Sequence, residues 1–189
     1  MTRTTSIIAI RQDPGHRRTA TLTAGALRIQ CHIGRSLMRP QLLKLEGDGA
    51  TPTGRYRPVR VYYRSDRNKR PVTRLPVRPV RPSDGWCDQP GAPVYNRPVR
   101  LPCPFRAENM WRSDNLYDFV IEIDHNRRPR VQGRGSAVFI HVASPDGSPT
   151  AGCVALRKGD MLKLLRLLSP NAVIAIGDAS APRRPRRRT

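Results

Sequence analysis

The chain has 189 residues and a formal net charge of +21, because 35 Lys and Arg stand against 14 Asp and Glu. This length favours one domain whose core needs neither metal nor disulfides. The apolar run at residues 7–10 is far shorter than the about 20 residues of a membrane span, so no transmembrane segment is expected. Most of the basic residues are arginine, which suits contact with nucleic acid, an anionic surface or an acidic substrate, although a solvated face needs no ligand.

Alternating side chains predict strands over residues 5–10 and 26–31, with turns over residues 16–19 and 23–25 between them. The prolines spread through residues 40–105 argue against long helices, so short strands and loops are expected there. A third strand is predicted over residues 57–63, and Pro58 is expected to place it at a sheet edge.

The second half of the chain contains the strongest strand signals, at residues 118–123 and 137–142, and residues 172–176 are expected to close the sheet. One helix is predicted with Asp160 as its N-cap, an apolar face and a stop at Ser169-Pro170. A weaker signal suggests a helical turn over residues 108–111. We expect a single, mostly β domain over residues 1–178 and a basic disordered tail over residues 179–189.

Targeting and redox signals are sparse. Residues 1–30 show no apolar segment and no small-residue cleavage site, so no secretory signal is visible. The four cysteines are too few and too dispersed for a disulfide scaffold or a zinc site, so no metal is expected. Free thiols are the favoured state, with a bridge between Cys87 and Cys103 as the alternative.

The segment from Gly133 to Leu168 is the best candidate for chemistry. A predicted strand ends near His141, and a loop then leads to Gly152-Cys153 ahead of the helix. Glycine allows the turn in which the N–H groups of Gly152 and Cys153 point at one oxygen, and an imidazole activates a thiol by taking its proton. The pattern is therefore a candidate for cysteine acyl transfer, although spacing alone favours a small buried thiol and a core histidine with no catalytic role.

Three stretches in one consistent order resemble the L,D-transpeptidases, the family of the YkuD-like catalytic domain. Residues 140–154 contain the family's histidine followed by a Thr-x-Gly-Cys turn. Residues 44–56 resemble its Gly-Asp-Gly-x-Thr-Pro stretch, and residues 31–35 fit the segment before it. A bacterial subgroup is similar at residues 85–88, 95–97 and 116–118, so the resemblance spans residues 25–177.

The resemblance implies a β-sandwich-like domain with a helix after the catalytic cysteine, acting on peptidoglycan stem peptides in the periplasm or cell envelope without a cofactor. Cys153 would attack the carbonyl of the third stem residue and release D-alanine, and an amine of another stem would take over the acyl group. His141 would be the base, and the N–H groups of Gly152 and Cys153 would bind the oxyanion. A 3-3 cross-link is the family default, and a 1-3 cross-link, carboxypeptidase action or D-amino-acid exchange remain alternatives.

Two positions depart from the family pattern, since Ala151 and Ala155 stand where many members have histidine and a polar side chain. Weaker predictions place four side chains along a groove for the stem peptide: Trp111, Arg112, Tyr117 and Arg134. A catalytically silent peptidoglycan-binding module of the same fold is the main alternative. A specific nucleic-acid partner is not expected, because aromatic residues are scarce and no nucleic-acid motif is present.

Overall fold

The computed structural model describes residues 7–16 and 18–177, so the predicted tail over residues 179–189 lies outside the described residues, as do Thr5 and Ser6 of the first predicted strand. The described part contains fourteen strands and one α-helix. The strands are β1 (Ile7–Gln12), β2 (Thr19–Ala24), β3 (Leu27–His32), β4 (Met38–Pro40), β5 (Thr51–Tyr56), β6 (Pro58–Tyr63), β7 (Val77–Pro79), β8 (Asp84–Cys87), β9 (Pro98–Arg100), β10 (Ala107–Asn109), β11 (Phe119–Ile123), β12 (Phe139–Val142), β13 (Val154–Leu156) and β14 (Val173–Ile176), and the helix is α1 (Lys158–Leu167).

Eleven strands form one sheet, in the order β4-β5-β14-β1-β2-β3-β13-β12-β11-β6-β7. The remaining three form a small antiparallel sheet in the order β10-β8-β9. Six of the ten neighbouring pairs in the large sheet are antiparallel, and four are parallel: β4 with β5, β14 with β1, β13 with β12 and β6 with β7. The mostly β fold with one helix after Cys153 is confirmed.

One large apolar cluster joins strands from distant positions in the sheet order, including Ile8 on β1, Val61 on β6 and Ile140 on β12. The sheet therefore curves around a shared core, as in a sandwich. The helix α1 covers part of this core with three buried side chains, Met161, Leu164 and Leu165. Burial of each such side chain stabilises the fold by about 2 kcal/mol.

Two sheet positions differ from the sequence-based expectation. Strand β6 is not an edge strand, because it pairs with β11 on one side and β7 on the other. Pro58 is tolerated because it is the first residue of β6 and pairs next to a register shift at Glu122/Ile123. Strand β14 does not close the sheet but lies inside it, between β1 and β5.

Three local predictions are corrected. Residues 19–24, in part predicted as turns, form strand β2, in which Ala20, Leu22 and Ala24 alternate into the core. Residues 107–109 form strand β10, so the predicted helical turn over residues 108–111 is wrong. The helix begins at Lys158 with Arg157 at the N-cap, so the prediction of Asp160 as the N-cap is wrong. Asp160 lies in the first turn, where its negative charge interacts favourably with the positive end of the helix dipole.

Within residues 7–16 and 18–177, no helix combines the length and apolar character needed to cross a membrane. All four cysteines are free thiols, including Cys87 and Cys103, which were the candidates for a bridge. Cys103 donates its S–H to the carbonyl oxygen of Phe105 at 3.0 Å.

A buried histidine links the segment after β11 to the core. The ring of His125 packs edge-on against Tyr56 at 5.7 Å between centroids, and its Nε2 lies 3.1 Å from the carbonyl oxygen of Arg134. A carbonyl only accepts, so Nε2 carries the proton, and the buried Nδ1 has no hydrogen-bond partner. Burial lowers the pKa of His125 from 6.5 to about 4.

We predict that His125 makes the fold sensitive to acid. Between pH 6.5 and pH 4 the unfolded chain binds a proton at this residue that the folded chain does not, so stability falls as the pH drops through 6.5. His125→Gln retains an N–H donor for the carbonyl but does not titrate. From pH 6.5 to pH 5, the wild type should lose about 1.5 kcal/mol more unfolding free energy than His125→Gln. Urea titrations at both pH values measure the difference, and equal losses in the two proteins would contradict the prediction.

Candidate active site

Strands β12 and β13 position the two side chains predicted to carry the chemistry. The strands pair in parallel with His141 opposite Ala155. Because side chains alternate along each strand, Ile140 and Val154 face the large core, and His141 and Cys153 belong to the other face. Both line one cleft of about 540 Å³.

The thiol of Cys153 is held by backbone groups of the residues leading into β12. Its S–H donates to the carbonyl oxygen of Ala137 at 3.2 Å, and its sulfur accepts the N–H of Phe139 at 3.3 Å. The apolar surroundings raise the pKa of Cys153 to about 12, against the opposing effect of the Phe139 N–H. At neutral pH the resting group is therefore a thiol, and it needs a base before it can act as a nucleophile.

The imidazole of His141 is buried and fixed in one tautomer. Its Nδ1 lies 2.8 Å from the carbonyl oxygen of Val142, which can only accept, so Nδ1 carries the proton and Nε2 has a free lone pair. The ring also packs edge-on against Tyr117 at 5.5 Å. Burial lowers the pKa of His141 to about 4, so the ring is neutral at pH 7 and available to accept a proton. The carbonyl of Val142 therefore orients the imidazole, and Ser144 lines the same cleft.

The turn before Cys153 depends on two threonines that are far apart in the chain. Thr150 and Thr51 each donate a hydroxyl hydrogen bond to the carbonyl oxygen of Cys153, at 2.7 Å and 3.2 Å. The N–H of Gly152 donates to the Thr150 hydroxyl at 3.1 Å. In the described part of the chain, the N–H of Cys153 has no acceptor. Of the two predicted oxyanion donors, the N–H of Cys153 is thus free and that of Gly152 is already engaged.

Gly152 is required by the backbone. Its φ of +140° lies in a region that side chains disfavour, and a Cβ there would lie 2.9 Å from the carbonyl oxygen of Ala50. The loop that provides Ala50 is the Gly-Asp-Gly segment, whose Asp48 accepts the N–H of Ala50 at 2.9 Å. The two motifs that resembled one family are thus in contact at the turn that carries the cysteine.

Lys44 is a buried cation that sequence reasoning treated only as the start of a motif. Only 3% of the residue is exposed, and its Nζ donates to Asp48 Oδ1 at 2.6 Å and to the Leu45 carbonyl at 2.8 Å. The Nζ lies 3.9 Å from the position that a Cβ on Gly152 would take, and Lys44 lines the same cleft as Cys153. The signal available in the sequence was a lone lysine among arginines, four residues before Asp48.

The cleft is also lined by the Glu108 carboxylate and the Arg112 guanidinium, which lie close to each other. The Tyr117 hydroxyl donates to Glu108 Oε1 at 2.5 Å, and Arg112 Nη1 lies 3.6 Å from the same oxygen. Arg112 also pairs with Asp114 at 2.7 Å, and its guanidinium lies over the Tyr117 ring. Burial raises the pKa of Glu108 above its usual value. Sequence reasoning missed Glu108, because it lay in the stretch expected to form a helical turn.

The structure brings two of the four predicted groove residues to this cleft, Arg112 and Tyr117. Trp111 lies elsewhere, with the Arg64 guanidinium stacked over its ring at 3.7 Å. Arg134 is also absent from the cleft wall, and its Nη1 donates to the carbonyl oxygen of Leu42 at 2.8 Å. The described ranges contain no group of three His, Cys, Asp or Glu side chains that could hold a metal ion.

Comparison with known proteins gives one match. The family model of YkuD, the L,D-transpeptidase catalytic domain, matches residues 8–176. No curated protein and no solved structure matches the chain. The matched range includes Cys153, His141 and both threonines that hold the turn.

We predict that Gly34→Ala disrupts the support of this turn. The N–H of Gly34 donates to the Thr51 hydroxyl at 2.8 Å, and a Cβ on Gly34 would lie 2.3 Å from the carbonyl oxygen of Gly49. The backbone must shift to relieve that contact, which should cost about 2 kcal/mol of unfolding free energy. Gly159→Ala is the control, because no atom lies within 4 Å of its Cβ position and alanine favours the helix. Urea unfolding should show a loss for Gly34→Ala alone, and equal stabilities of the two variants would refute the prediction.

We also predict that Cys153 reacts slowly with iodoacetamide at neutral pH. Only the thiolate reacts, so with a pKa of about 12 the modification rate should rise about tenfold per pH unit from pH 7 to pH 10 without levelling off. The urea-unfolded chain provides the control, in which the rate should level off above about pH 9. Peptide mapping by mass spectrometry follows the residue, and a rate in the folded protein that levels off below pH 8 would contradict a buried, protonated thiol.

Proposed function

Because the chain belongs to the L,D-transpeptidase catalytic domain family, we propose that it exchanges amide bonds in peptidoglycan stem peptides through a cysteine thioester. The observation that carries the proposal is the shared cleft of Cys153 and His141, within the range that matches the family. In this proposal Cys153 is the nucleophile and His141 the base and later the acid. We further propose that residues 1–178 form this catalytic domain.

The first step forms the thioester. His141 Nε2 takes the proton of the Cys153 thiol while the sulfur attacks the carbonyl carbon of the third stem residue. Two neutral groups react, so the developing imidazolium and oxyanion arise together in a cleft where unpaired charge is costly. The carbon–nitrogen bond then breaks, and the departing D-alanine amine takes the proton from His141. The energy of the broken amide is retained in the thioester, so the step needs no ATP.

The second step transfers the acyl group to an acceptor. An amine of another stem loses a proton to His141 and attacks the thioester carbonyl carbon, and the carbon–sulfur bond breaks. The sulfur regains the proton from His141, which restores the starting state. The family default is a 3-3 cross-link, in which the acceptor amine belongs to the third residue of the other stem. A 1-3 cross-link would form if the amine of the first residue were the acceptor. Water in place of the amine would give carboxypeptidase action.

The oxyanion of both steps needs a donor that strengthens as charge develops. The N–H of Cys153 is the free donor of the turn, and Lys44 is the cation beside it. We assign Lys44 to electrostatic support of the oxyanion, because its Nζ lies near Gly152 and its charge favours the Cys153 thiolate. The Thr150 and Thr51 hydroxyls position the donor by fixing the Cys153 carbonyl on the far side of the turn.

The polar groups on the cleft wall suit a zwitterionic peptide. Arg112 is a suitable partner for a stem carboxylate, and Glu108 for the ammonium of a diamino acid. Neither group hydrogen-bonds to the Cys153 sulfur or the His141 imidazole, and both line the cleft. We therefore propose that they bind the charged ends of the substrate. Peptidoglycan lies in the cell envelope, and we propose that the protein acts there, in the periplasm where the cell has one.

We predict that purified wild-type protein releases D-alanine from disaccharide tetrapeptides and forms cross-linked dimers. Cys153→Ala should lower both products at least 1000-fold, because no other group in the cleft can form the thioester. Cys103→Ala is the matched control, since this thiol lies outside the cleft and should retain activity within about twofold. Mass spectrometry of the muropeptides measures both products.

The same experiment separates the alternatives. Release of D-alanine without dimers would indicate a carboxypeptidase. Retention of tetrapeptides by a folded wild-type protein with no release at all would instead indicate a silent binding module. Full activity in the Cys153→Ala variant would overturn the assignment of the nucleophile.

A further inference from the structure

A second cavity, of about 550 Å³, lies behind the strand that carries His141. Four arginines line it, Arg97, Arg127, Arg128 and Arg130. The backbone at Val138 and Phe139 separates it from the catalytic cleft, because Val138 lines both and the Phe139 N–H contacts the Cys153 sulfur. The four arginines take no part in the proposed transfer reaction.

The cavity has an excess of positive charge that its own carboxylate does not balance. Glu122 is the acid in its wall, and this carboxylate already pairs with Arg127 at 2.7 Å and Arg60 at 3.3 Å and accepts the Tyr62 hydroxyl at 3.2 Å. In contrast, the side chains of Arg97, Arg128 and Arg130 show no carboxylate partner among residues 7–16 and 18–177. Their charges therefore remain available to a ligand.

Arg130 shows most clearly that a partner is missing. Its Nε is buried and has no hydrogen-bond partner in the described part of the chain. Burial lowers the pKa of this guanidinium, and the nearby charges of Arg97 and Arg127 lower it further. A buried donor without an acceptor costs about 1–3 kcal/mol, so the fold holds this guanidinium in the cavity wall at an energetic cost.

The arginines are presented by a segment that side-chain amides hold in place. The backbone of Asn126 lies in the left-handed region, with φ of +47°. Its side-chain amide donates to the carbonyl oxygens of Val131 and Gly135, both at 2.9 Å, and accepts the N–H of Val131 at 2.8 Å. Asn96 donates to the carbonyl oxygens of His125 and Asn126 at 3.2 and 2.9 Å. The backbone that carries Arg127, Arg128 and Arg130 is therefore held in place before any ligand binds, which lowers the ordering cost of binding.

We propose that this cavity binds the phosphate or pyrophosphate group of a small phosphorylated ligand. Three uncompensated guanidinium groups match a group that concentrates at least two negative charges, whereas one carboxylate would neutralise only one. The volume exceeds that of a phosphate ion, so the ligand extends beyond its charged group. The Trp86 indole in the wall is 5% exposed and packs edge-on against Phe139, so it offers no free face for stacking a base. Recognition then rests on the phosphate.

Isothermal titration calorimetry with sodium pyrophosphate tests the site. We expect saturable binding to the wild type, at least tenfold weaker binding to Arg130→Gln, and no detectable binding of acetate. Arg28→Gln is the matched control: this exposed arginine on β3 lines neither cavity and loses the same charge, so binding should change less than twofold. The double variant Arg97→Gln/Arg128→Gln, at two exposed side chains, provides the same test if Arg130→Gln fails to fold.

A flotation assay identifies the source of the phosphate. If binding to phosphatidylcholine vesicles that contain phosphatidic acid is lost in Arg130→Gln but retained in Arg28→Gln, the ligand is a lipid headgroup. Pyrophosphate binding without this vesicle binding supports a soluble phosphorylated molecule. Cys153→Ala should bind like the wild type, so the result does not depend on the proposed transferase activity. Absence of pyrophosphate binding at millimolar concentration, or equal losses in Arg28→Gln and Arg130→Gln, would overturn the proposal.

Discussion

The parallel pairing of β12 with β13 is the constraint on which the candidate site depends. With His141 opposite Ala155, the neighbouring pair Ile140 and Val154 faces the large core. The imidazole of His141 and the thiol of Cys153 share the other face. A shift of β12 by one residue would turn His141 into that core and expose Ile140, and the same shift of β13 would do so for Cys153 and Val154. The burial of the apolar residues therefore fixes which face carries the candidate site, so the stability of the sheet and the geometry of the site have one origin.

The sequence predicted the mostly β fold and its helix, because strand alternation and helical spacing are local patterns. Strand β2 was missed because its threonines and alanines resemble a turn when the core partners are unknown. The contact between the Thr51 hydroxyl and the Cys153 carbonyl joins residues 102 positions apart, and no local pattern encodes it. Lys44 is buried beside the same turn, and no local pattern distinguishes it from an exposed lysine.

The neutrality of the site follows from how it is enclosed. Burial shifts Cys153 and His141 towards their uncharged forms, and in the part of the chain that the structure describes neither has a charged partner within hydrogen-bonding distance. A preformed thiolate and imidazolium would cost more in this setting than in water. In the proposed mechanism, charge develops during the attack on substrate, where Lys44 and the Cys153 N–H would stabilise it. The arrangement would then favour the transition state over the resting state, which is the requirement for acceleration.

The net charge of +21 does not describe one property of the molecule. Arg64 and Arg67 each pair with an aspartate, so their charges are balanced within the fold. By contrast, three arginines line a cavity in which Glu122 already pairs with Arg60 and Arg127: Arg97, Arg128 and Arg130. Among the described residues, no carboxylate balances the charges of these three. Composition cannot separate these two groups, because both add equally to the total. The distinction depends on which carboxylates the fold brings within reach of each arginine. It places the proposed anion site in one cavity and not across the whole basic surface.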